Sequence, residues 1–188
     1  MKSLRLLLCA LPLALTGCST LSSINWSAAY PWNWFGSSLE VTEQGVGNIT
    51  AATALDQDAL QAALSSDYRL RSGMKTENGT IVRYFEALKG DKLALVINGD
   101  KGTVNRIAVL DDAIPTASGV KVGTPFSDLY KQAFGNCASA PSDDGVAVQC
   151  KAPDSQHISY LFTGTWSGPE GLMPSDDTLK NWKVSKII

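Results

Sequence analysis

The sequence predicts an α+β fold made of two similar halves, about residues 39–115 and 116–188, each a helix packed on a small antiparallel sheet. Two amphipathic helical stripes lie about 70 residues apart, and each is followed by short alternating segments with turn signals between them. The repeated order indicates an internal duplication, with chance recurrence of turn residues as the alternative. One helix on one small sheet buries little surface, so two such units would share a core.

The first half begins with short strands and a helix, followed by a meander. Thr53 is the expected N-cap of the helix, with Asp56 three residues later. The apolar stripe of that helix consists of Leu55, Ala59, Leu60, Ala63 and Leu64. Asn78-Gly79 and Gly90-Asp91 predict tight turns in the meander. The predicted strands are 38–41, 46–50, 68–72, 80–88, 92–98 and 104–110.

The second half repeats this order. Thr124 is the expected cap of a helix whose first position is Pro125. Its buried face consists of Phe126, Leu129, Tyr130, Ala133 and Phe134. Gly135-Asn136 ends the helix, and a loop over 164–175 separates the last two strands. The predicted strands are 119–122, 146–151, 157–163 and 182–188.

The first 17 residues are typical of a signal peptide. Lys2 and Arg5 precede an apolar run over 6–15 that is shorter than the roughly 20 residues of a membrane-spanning helix. Leu15-Thr16-Gly17-Cys18 resembles the bacterial lipobox, whose cysteine receives a diacylglycerol thioether and whose new amine is acylated. The resemblance implies a lipoprotein cut before Cys18 and labelled by palmitate. An ordinary secretory signal followed by a chance cysteine is the alternative.

The residue after the cysteine bears on the destination. It is Ser19 and not Asp, which by resemblance to enterobacterial sorting favours the outer membrane, with the protein on the periplasmic face. A surface-exposed orientation is the alternative. Two or three acyl chains give a stable membrane anchor where one chain is marginal.

Charge excludes one class of partner. Removing Lys2 and Arg5 from the 16 basic residues leaves 14 against 18 acidic ones, so the formal charge of the mature chain is 14 − 18 = −4. No basic block remains in the mature chain. We therefore expect no nucleic-acid partner.

The cysteines predict a disulfide. Cys9 leaves with the signal peptide and Cys18 carries lipid, so Cys137 and Cys150 remain as a pair in an oxidising compartment. A redox-active or metal-binding pair is the alternative. Their spacing is far from C-x-x-C, and His157 is the one histidine of the chain.

Two aromatic features are candidate partner contacts. Residues 18–38 form a predicted tether, in which Trp32, Trp34 and Phe35 follow no helical or strand period. These rings either dock on the folded body or contact the headgroup layer or a partner. Trp166 lies in the long loop over 164–175 and either packs back on the body or anchors a partner.

The sequence shows no catalytic constellation. His157 and Ser159 share a face of one predicted strand, which does not make a triad, and no G-x-S-x-G motif is present. The acidic pairs 111–112, 143–144 and 176–177 fall at predicted turns and lack the spacing of a calcium loop. We expect no enzyme activity, no catalytic residue, no metal and no cofactor.

The sequence is therefore compatible with three functions. The first is a non-catalytic lipoprotein that binds another envelope component. The sequence does not give the oligomeric state of this lipoprotein. The second is a small-ligand or lipid-binding module with a groove between the halves. The third is a hydrolase whose carboxylates converge only in the fold.

Several segments resemble one family. They are Trp34-Phe35-Gly36-Ser37-Ser38-Leu39-Glu40-Val41, Gly119-Val120-Lys121-Val122-Gly123-Thr124-Pro125-Phe126-Ser127-Asp128, Gly168-Pro169-Glu170-Gly171-Leu172-Met173-Pro174 and Trp182-Lys183-Val184-Ser185-Lys186-Ile187-Ile188. Together they are similar to the YfeY family, enterobacterial lipoproteins described as regulated by the envelope-stress sigma factor RpoE. The resemblance implies a localisation and a stress context. It implies no catalytic residue, because the family is uncharacterised.

Overall fold

The computed structural model describes residues 39–188 except 78, 143–144, 154 and 170. Within that part of the chain there are three short helices and eleven strands. The helices are α1 (Gln57–Ala63), α2 (Phe126–Leu129) and α3 (Asp176–Leu179). The strands are β1 (Val41–Thr42), β2 (Gly45–Val46), β3 (Ile49–Thr50), β4 (Tyr68–Glu77), β5 (Thr80–Lys89), β6 (Lys92–Asp100), β7 (Thr103–Val109), β8 (Cys137–Ser142), β9 (Gly145–Lys151), β10 (Ser159–Thr163) and β11 (Lys183–Ile187).

The strands form two antiparallel sheets. The large sheet has eight strands in the order β4-β5-β6-β7-β11-β10-β9-β8, and the small sheet has the order β1-β2-β3. The last strand in the sequence, β11, lies in the middle of the large sheet. It pairs along most of its length with β10 and meets β7 at Ile187↔Val109.

The predicted fold class is wrong. Residues assigned to two halves join one large sheet, because β11 pairs with β7 and so connects the two groups of strands. The helices have seven, four and four residues, too few to form a layer over two separate sheets. The chain is mainly antiparallel β, and most of its burial comes from strand side chains.

One core cluster includes residues from both predicted halves. Phe85 and Ile97 of the meander belong to it, as do Phe162 and Ile187 from the later strands, and all four are at most 2% exposed. A group of three rings holds α2 on the large sheet. Its ring centroids lie 5.2 Å apart for Phe126 and Tyr130, 5.2 Å for Phe126 and Phe162, and 5.9 Å for Tyr130 and Phe162.

Helix α1 begins later than predicted. Its N-cap is Asp56, whose Oδ1 accepts a hydrogen bond from the backbone N–H of Ala59 at 2.9 Å. The hydroxyl of Thr53, the predicted cap, instead accepts from the backbone N–H of Thr50 at 3.0 Å. Thr53 therefore closes the turn after β3 rather than starting the helix.

Helix α2 is much shorter than the predicted stripe. Tyr130 leaves the helical region with φ −135° and ψ 137°, and Phe134 is 87% exposed. Pro125 is the N-cap residue, and no side chain caps the helix, so Thr124 does not have its expected role. Contacts from elsewhere in the chain replace the helical ones, since Asp176 Oδ1 accepts from the backbone N–H of Ala133 at 2.8 Å.

Three further elements differ from the sequence prediction. Strand β8 and helix α3 were not predicted. The predicted strand over 119–122 is irregular, because the chain there forms a turn in which Thr116 donates its N–H to the carbonyl of Val120.

Candidate functional site

A groove of about 480 Å³ lies between the small sheet and the middle of the large sheet. Its polar lining includes Glu43, Asn105, Arg106, Gln149, His157 and Ser159. We call it the Arg106 groove. Its apolar lining includes Val46, Ile107 and Ile158.

The groove opens where the central pairing of the large sheet stops. β11 meets β7 at Val109, and on the side of β7 that faces away from β6 no described strand pairs with β7 between Asn105 and Ile107. β7 also carries a bulge at this position. Asn98 pairs with Arg106 while Gly99 pairs with Val104, which leaves Asn105 as the extra residue. Bulges re-aim side chains and are common beside functional sites.

Backbone hydrogen bonds fix the small sheet beside this groove. The N–H of Val41 donates to the carbonyl of Pro115 at 2.8 Å, and the N–H of Ala117 donates to the carbonyl of Val41 at 3.0 Å. Thr116, the buried polar residue between them, is 2% exposed and its hydroxyl accepts from the N–H of Val120 at 3.0 Å. The turn between β1 and β2 therefore has a defined position.

A second groove, of about 560 Å³, lies on the other side of that turn. Its lining includes Thr116, Ser118 and Tyr160, and we call it the Ser118 groove. Thr42, Glu43 and Ile158 line both grooves. The β1–β2 turn is thus the wall between two adjacent grooves.

Glu43 on this wall is held in its charged form. The Ser155 hydroxyl beside it is the largest influence that lowers the pKa of Glu43, and desolvation opposes it. The backbone N–H of Gln156, which donates to Glu43 Oε2 at 3.4 Å, and the nearby His157 lower the pKa further. The Ser155 hydroxyl accepts hydrogen bonds from the N–H groups of His157 and Ile158, so its own proton is free for Glu43.

His157 and Ser159 both line the Arg106 groove but are not arranged as a nucleophile and base. His157 is exposed and lies in the bend before β10, because the strand predicted to begin at His157 begins at Ser159. The Ser159 hydroxyl accepts a hydrogen bond from Gln149 Nε2 at 2.7 Å. The amide N–H of Gln149 can orient the Ser159 hydroxyl but cannot accept its proton. The Gln149 and Ser159 side chains are therefore suited to contacting a ligand.

The structure places the predicted site residues as follows. Cys137 and Cys150 form the predicted disulfide, which joins β8 to β9 at directly paired positions. Trp166 is half-buried against the core cluster, and its ring lies over Gly168. Cys18, Ser19, Trp32, Trp34 and Phe35 lie outside the described residues.

Among the described residues, the acidic pairs at 111–112 and 176–177 do not combine into a site. Asp111 Oδ1 accepts from the backbone N–H of Ala113 at 2.9 Å, and Asp176 serves Ala133 as described above. Asp143 and Asp144 lie outside the described residues. Within the described ranges no three His, Cys, Asp or Glu side chains are close enough to hold a metal ion.

Four polar residues of the Arg106 groove could not be identified from the sequence. Glu43, Asn105, Arg106 and Gln149 carry no motif, and their association depends on the bulge in β7 and on the position of β11. In the part of the chain that the structure describes, none of the helices has the length and apolar character that spanning a membrane requires.

Known proteins place the chain in a family. A family model described as a protein of unknown function (DUF1131) matches residues 23–188. The uncharacterized protein YfeY of Escherichia coli (strain K12) is 71% identical over 188 residues, which cover 100% of this chain and 98% of that protein. The crystal structure of the uncharacterized protein yfeY from Escherichia coli matches with a TM-score of 0.71 at 64% identity, covering 79% of this chain and 97% of that one. The resemblance to the YfeY family is confirmed, and the chain belongs to the DUF1131 family.

Proposed function

We propose that this protein is a lipoprotein of the bacterial envelope, anchored through Cys18 in the outer membrane and facing the periplasm. The main support is the order of the residues, in which an apolar run and two small residues precede Cys18, and Ser19 follows it. The disulfide between Cys137 and Cys150 fits an oxidising compartment. In this proposal residues 1–17 are removed and residues 18–38 tether the folded body to the membrane.

Labelling with palmitate tests the anchor. Cys18→Ala is expected to abolish incorporation of labelled palmitate, because the thiol that receives lipid is gone. Cys9→Ala is the matched control, since that cysteine leaves with the signal peptide, and its labelling should equal that of the unchanged protein. Normal labelling of the Cys18 variant would overturn the proposal.

The activity we propose for the folded body is non-catalytic binding of another envelope component. Support comes from the two grooves that share the β1–β2 turn, whose walls combine apolar side chains with polar ones such as Glu43 and Arg106. Trp32, Trp34 and Phe35 of the tether are further candidate contacts. Trp166 is a weaker candidate, because its ring is half-buried against the core.

Site-specific photo-crosslinking in living cells tests this binding. A probe at Gln44, exposed on the turn beside the Ser118 groove, is expected to give one dominant protein adduct. Probes at Trp32 and Trp166 test the aromatic contacts. Asp91, exposed in the β5–β6 turn and outside both grooves, is the control position. Equal adducts at Gln44 and Asp91 would contradict a partner at the grooves.

A small-ligand or lipid-binding module is the second candidate. The two groove volumes lie in the range of small-molecule sites, and their linings mix apolar and polar groups. Purified muropeptides and short-chain phospholipids are the probes. A ligand at 100 times its Kd stabilises the native state by about 2.7 kcal/mol, which a thermal shift detects. A shift that persists in Arg106→Gln would place the ligand outside the Arg106 groove.

A further inference from the structure

The two edge strands of the large sheet differ in how they are protected against pairing. β8 has six residues, includes Pro141 and is tied to β9 by the disulfide. β4 has ten residues, contains no proline, and pairs with β5 without a register shift from Tyr68↔Lys89 to Glu77↔Thr80. Proteins usually block edges with short strands, prolines, bulges or charges. Of these devices β4 carries charges alone.

The pairing with β5 shows which backbone groups of β4 point away from the sheet. Glu77 and Thr80 flank a two-residue turn and form a hydrogen-bonded pair, so the odd-numbered residues of β4 bond to β5. The even-numbered residues therefore direct their N–H and C=O groups to the open edge. Tyr68 agrees with this alternation, because its carbonyl accepts from Gln61 Nε2 of α1 at 3.3 Å.

Beyond Leu70, which still packs against the core cluster, this edge extends past the core. The pairing of β5 with β6 begins at Tyr84↔Asn98, so the distal part of the β4–β5 hairpin is a two-stranded arm. Met74 and Ile81 lie on the face of the arm that continues the core face, and they are 69% and 71% exposed. Two-stranded ribbons are marginally stable by themselves. A third strand along β4 would both cover Met74 and stabilise the arm.

We propose that this third strand is β4 of a second copy of the chain, paired antiparallel about a twofold axis at Met74. This register places Arg71 of each copy opposite Glu77 of the other. A register centred on Gly73 sets Arg71 opposite Lys75, and one centred on Lys75 sets two lysines against each other. Like charges directly opposite destabilise a sheet, whereas opposite charges stabilise it.

The proposed register also suits the neighbouring groups. A register centred on Thr76 joins opposite charges too, but it pairs little more than the last residues of the strand. Arg71 donates from Nε to Glu86 Oε2 at 2.7 Å, and a guanidinium has further N–H groups for a second carboxylate. Ser72 lies opposite Thr76 of the second copy, and the two Met74 side chains lie side by side on the axis. The two large sheets continue as one across the interface.

Cysteine crosslinking of the full chain in living cells tests the twofold axis. Met74→Cys treated with a short bis-maleimide is expected to give a product of twice the chain mass, because the two introduced thiols adjoin. Ile81→Cys is the matched control, with nearly the same exposure on the same face but one strand away from the axis. It should stay at the mass of one chain. Cys137 and Cys150 are disulfide-bonded and do not react.

Two further variants separate pairing from folding. Ser72→Pro removes an N–H that points to the open edge and no bond to β5, so it should abolish the Met74→Cys product and keep the melting temperature within a few degrees. Glu77→Lys places like charges opposite each other and should reduce the product several-fold. Equal crosslinking at Ile81, undiminished product in both variants, an adduct with a different protein at Met74, or no product at all would overturn self-pairing.

Discussion

At the residue scale, Glu43 illustrates how neighbours set the charge of an exposed carboxylate. The Ser155 hydroxyl and the N–H of Gln156 favour the ionised form, so its pKa lies below the ordinary value of 4.5. A lowered native pKa stabilises the fold above the unfolded-state value, and this contribution is lost as the pH falls through the native pKa. Glu43 therefore stays ionised in both grooves at neutral pH.

An NMR titration of the Glu43 carboxyl carbon checks this assignment. We expect a midpoint below 4.5 in the unchanged protein. Ser155→Ala should move the midpoint upward, because it removes the largest influence that lowers this pKa. A Glu43 midpoint that is unchanged by Ser155→Ala would contradict the role of this hydroxyl.

Asp56 offers a second test at this scale. Asp56→Ala removes the acceptor for the N–H of Ala59 at the start of α1 and should lower the free energy of unfolding by about 1 kcal/mol. Urea denaturation measures this loss. Asp58→Ala is the control, since Asp58 is exposed in the same turn and makes no cap bond. Equal losses in the two variants would mean that charge near the helix end, and not the cap, is responsible.

At the element scale, the disulfide holds the edge strand β8 in place, although the amino-acid composition of β8 only weakly favours a β-strand. The Cys137–Cys150 bond closes a loop with a sequence separation of 13. The double variant Cys137→Ala, Cys150→Ala should therefore lose about 3 kcal/mol of unfolding free energy in the chain-entropy model. Denaturation with and without a reductant measures it. The reductant should destabilise the unchanged protein and leave the double variant unaffected; an effect on both would contradict the assignment.

The meander shows what sequence patterns establish well. Residues 80–88, 92–98 and 104–110 were predicted as strands because alternating side chains lie between tight-turn signals, and β5, β6 and β7 occupy nearly the same residues. These signals are local, and they also predict which strands pair, because a tight turn joins each strand to its neighbour in the sheet. The disulfide was predictable for a similar reason, since two cysteines remained once the signal peptide and anchor were assigned.

Elements that depend on distant contacts were not predictable. β8 contains Ala, Ser and Pro, which have low strand propensity, so β8 depends on its pairing with β9 to form a strand. The apolar spacing of Phe134 continued the α2 stripe, yet its side chain is exposed because the chain turns at Tyr130. The Arg106 groove depends on the bulge at Asn105 and on the place of β11. Neither leaves a pattern in the sequence.

At the scale of the whole molecule, the single core predicts one cooperative unfolding transition for the described domain. Phe162 in β10 is fully buried in the cluster that also contains Phe85 and Ile97. Phe162→Ala should therefore lower the unfolding free energy by about 3–5 kcal/mol. Amide hydrogen exchange in β5 and β6, far away in the sequence, should report the same loss.

Phe134→Ala is the control for this experiment. Its side chain is 87% exposed, so the exchange of amides in β5 and β6 should stay unchanged. Independent halves would behave differently, because Phe162→Ala would then leave β5 and β6 protected. Such a result would contradict a shared core.

The central place of β11 determines when folding can finish. A chain that emerges from a ribosome or an export channel with its N-terminus first delivers β4 to β7 early and β8 to β10 later. The two groups of strands meet through β11, the last strand to emerge. Until β11 has emerged, the core is incomplete, because it still lacks the buried side chains of Val184 and Ile187. The strand order thus delays the final structure until nearly all of the chain has emerged, a property that the export proposed above requires, because a narrow channel admits only an unfolded chain.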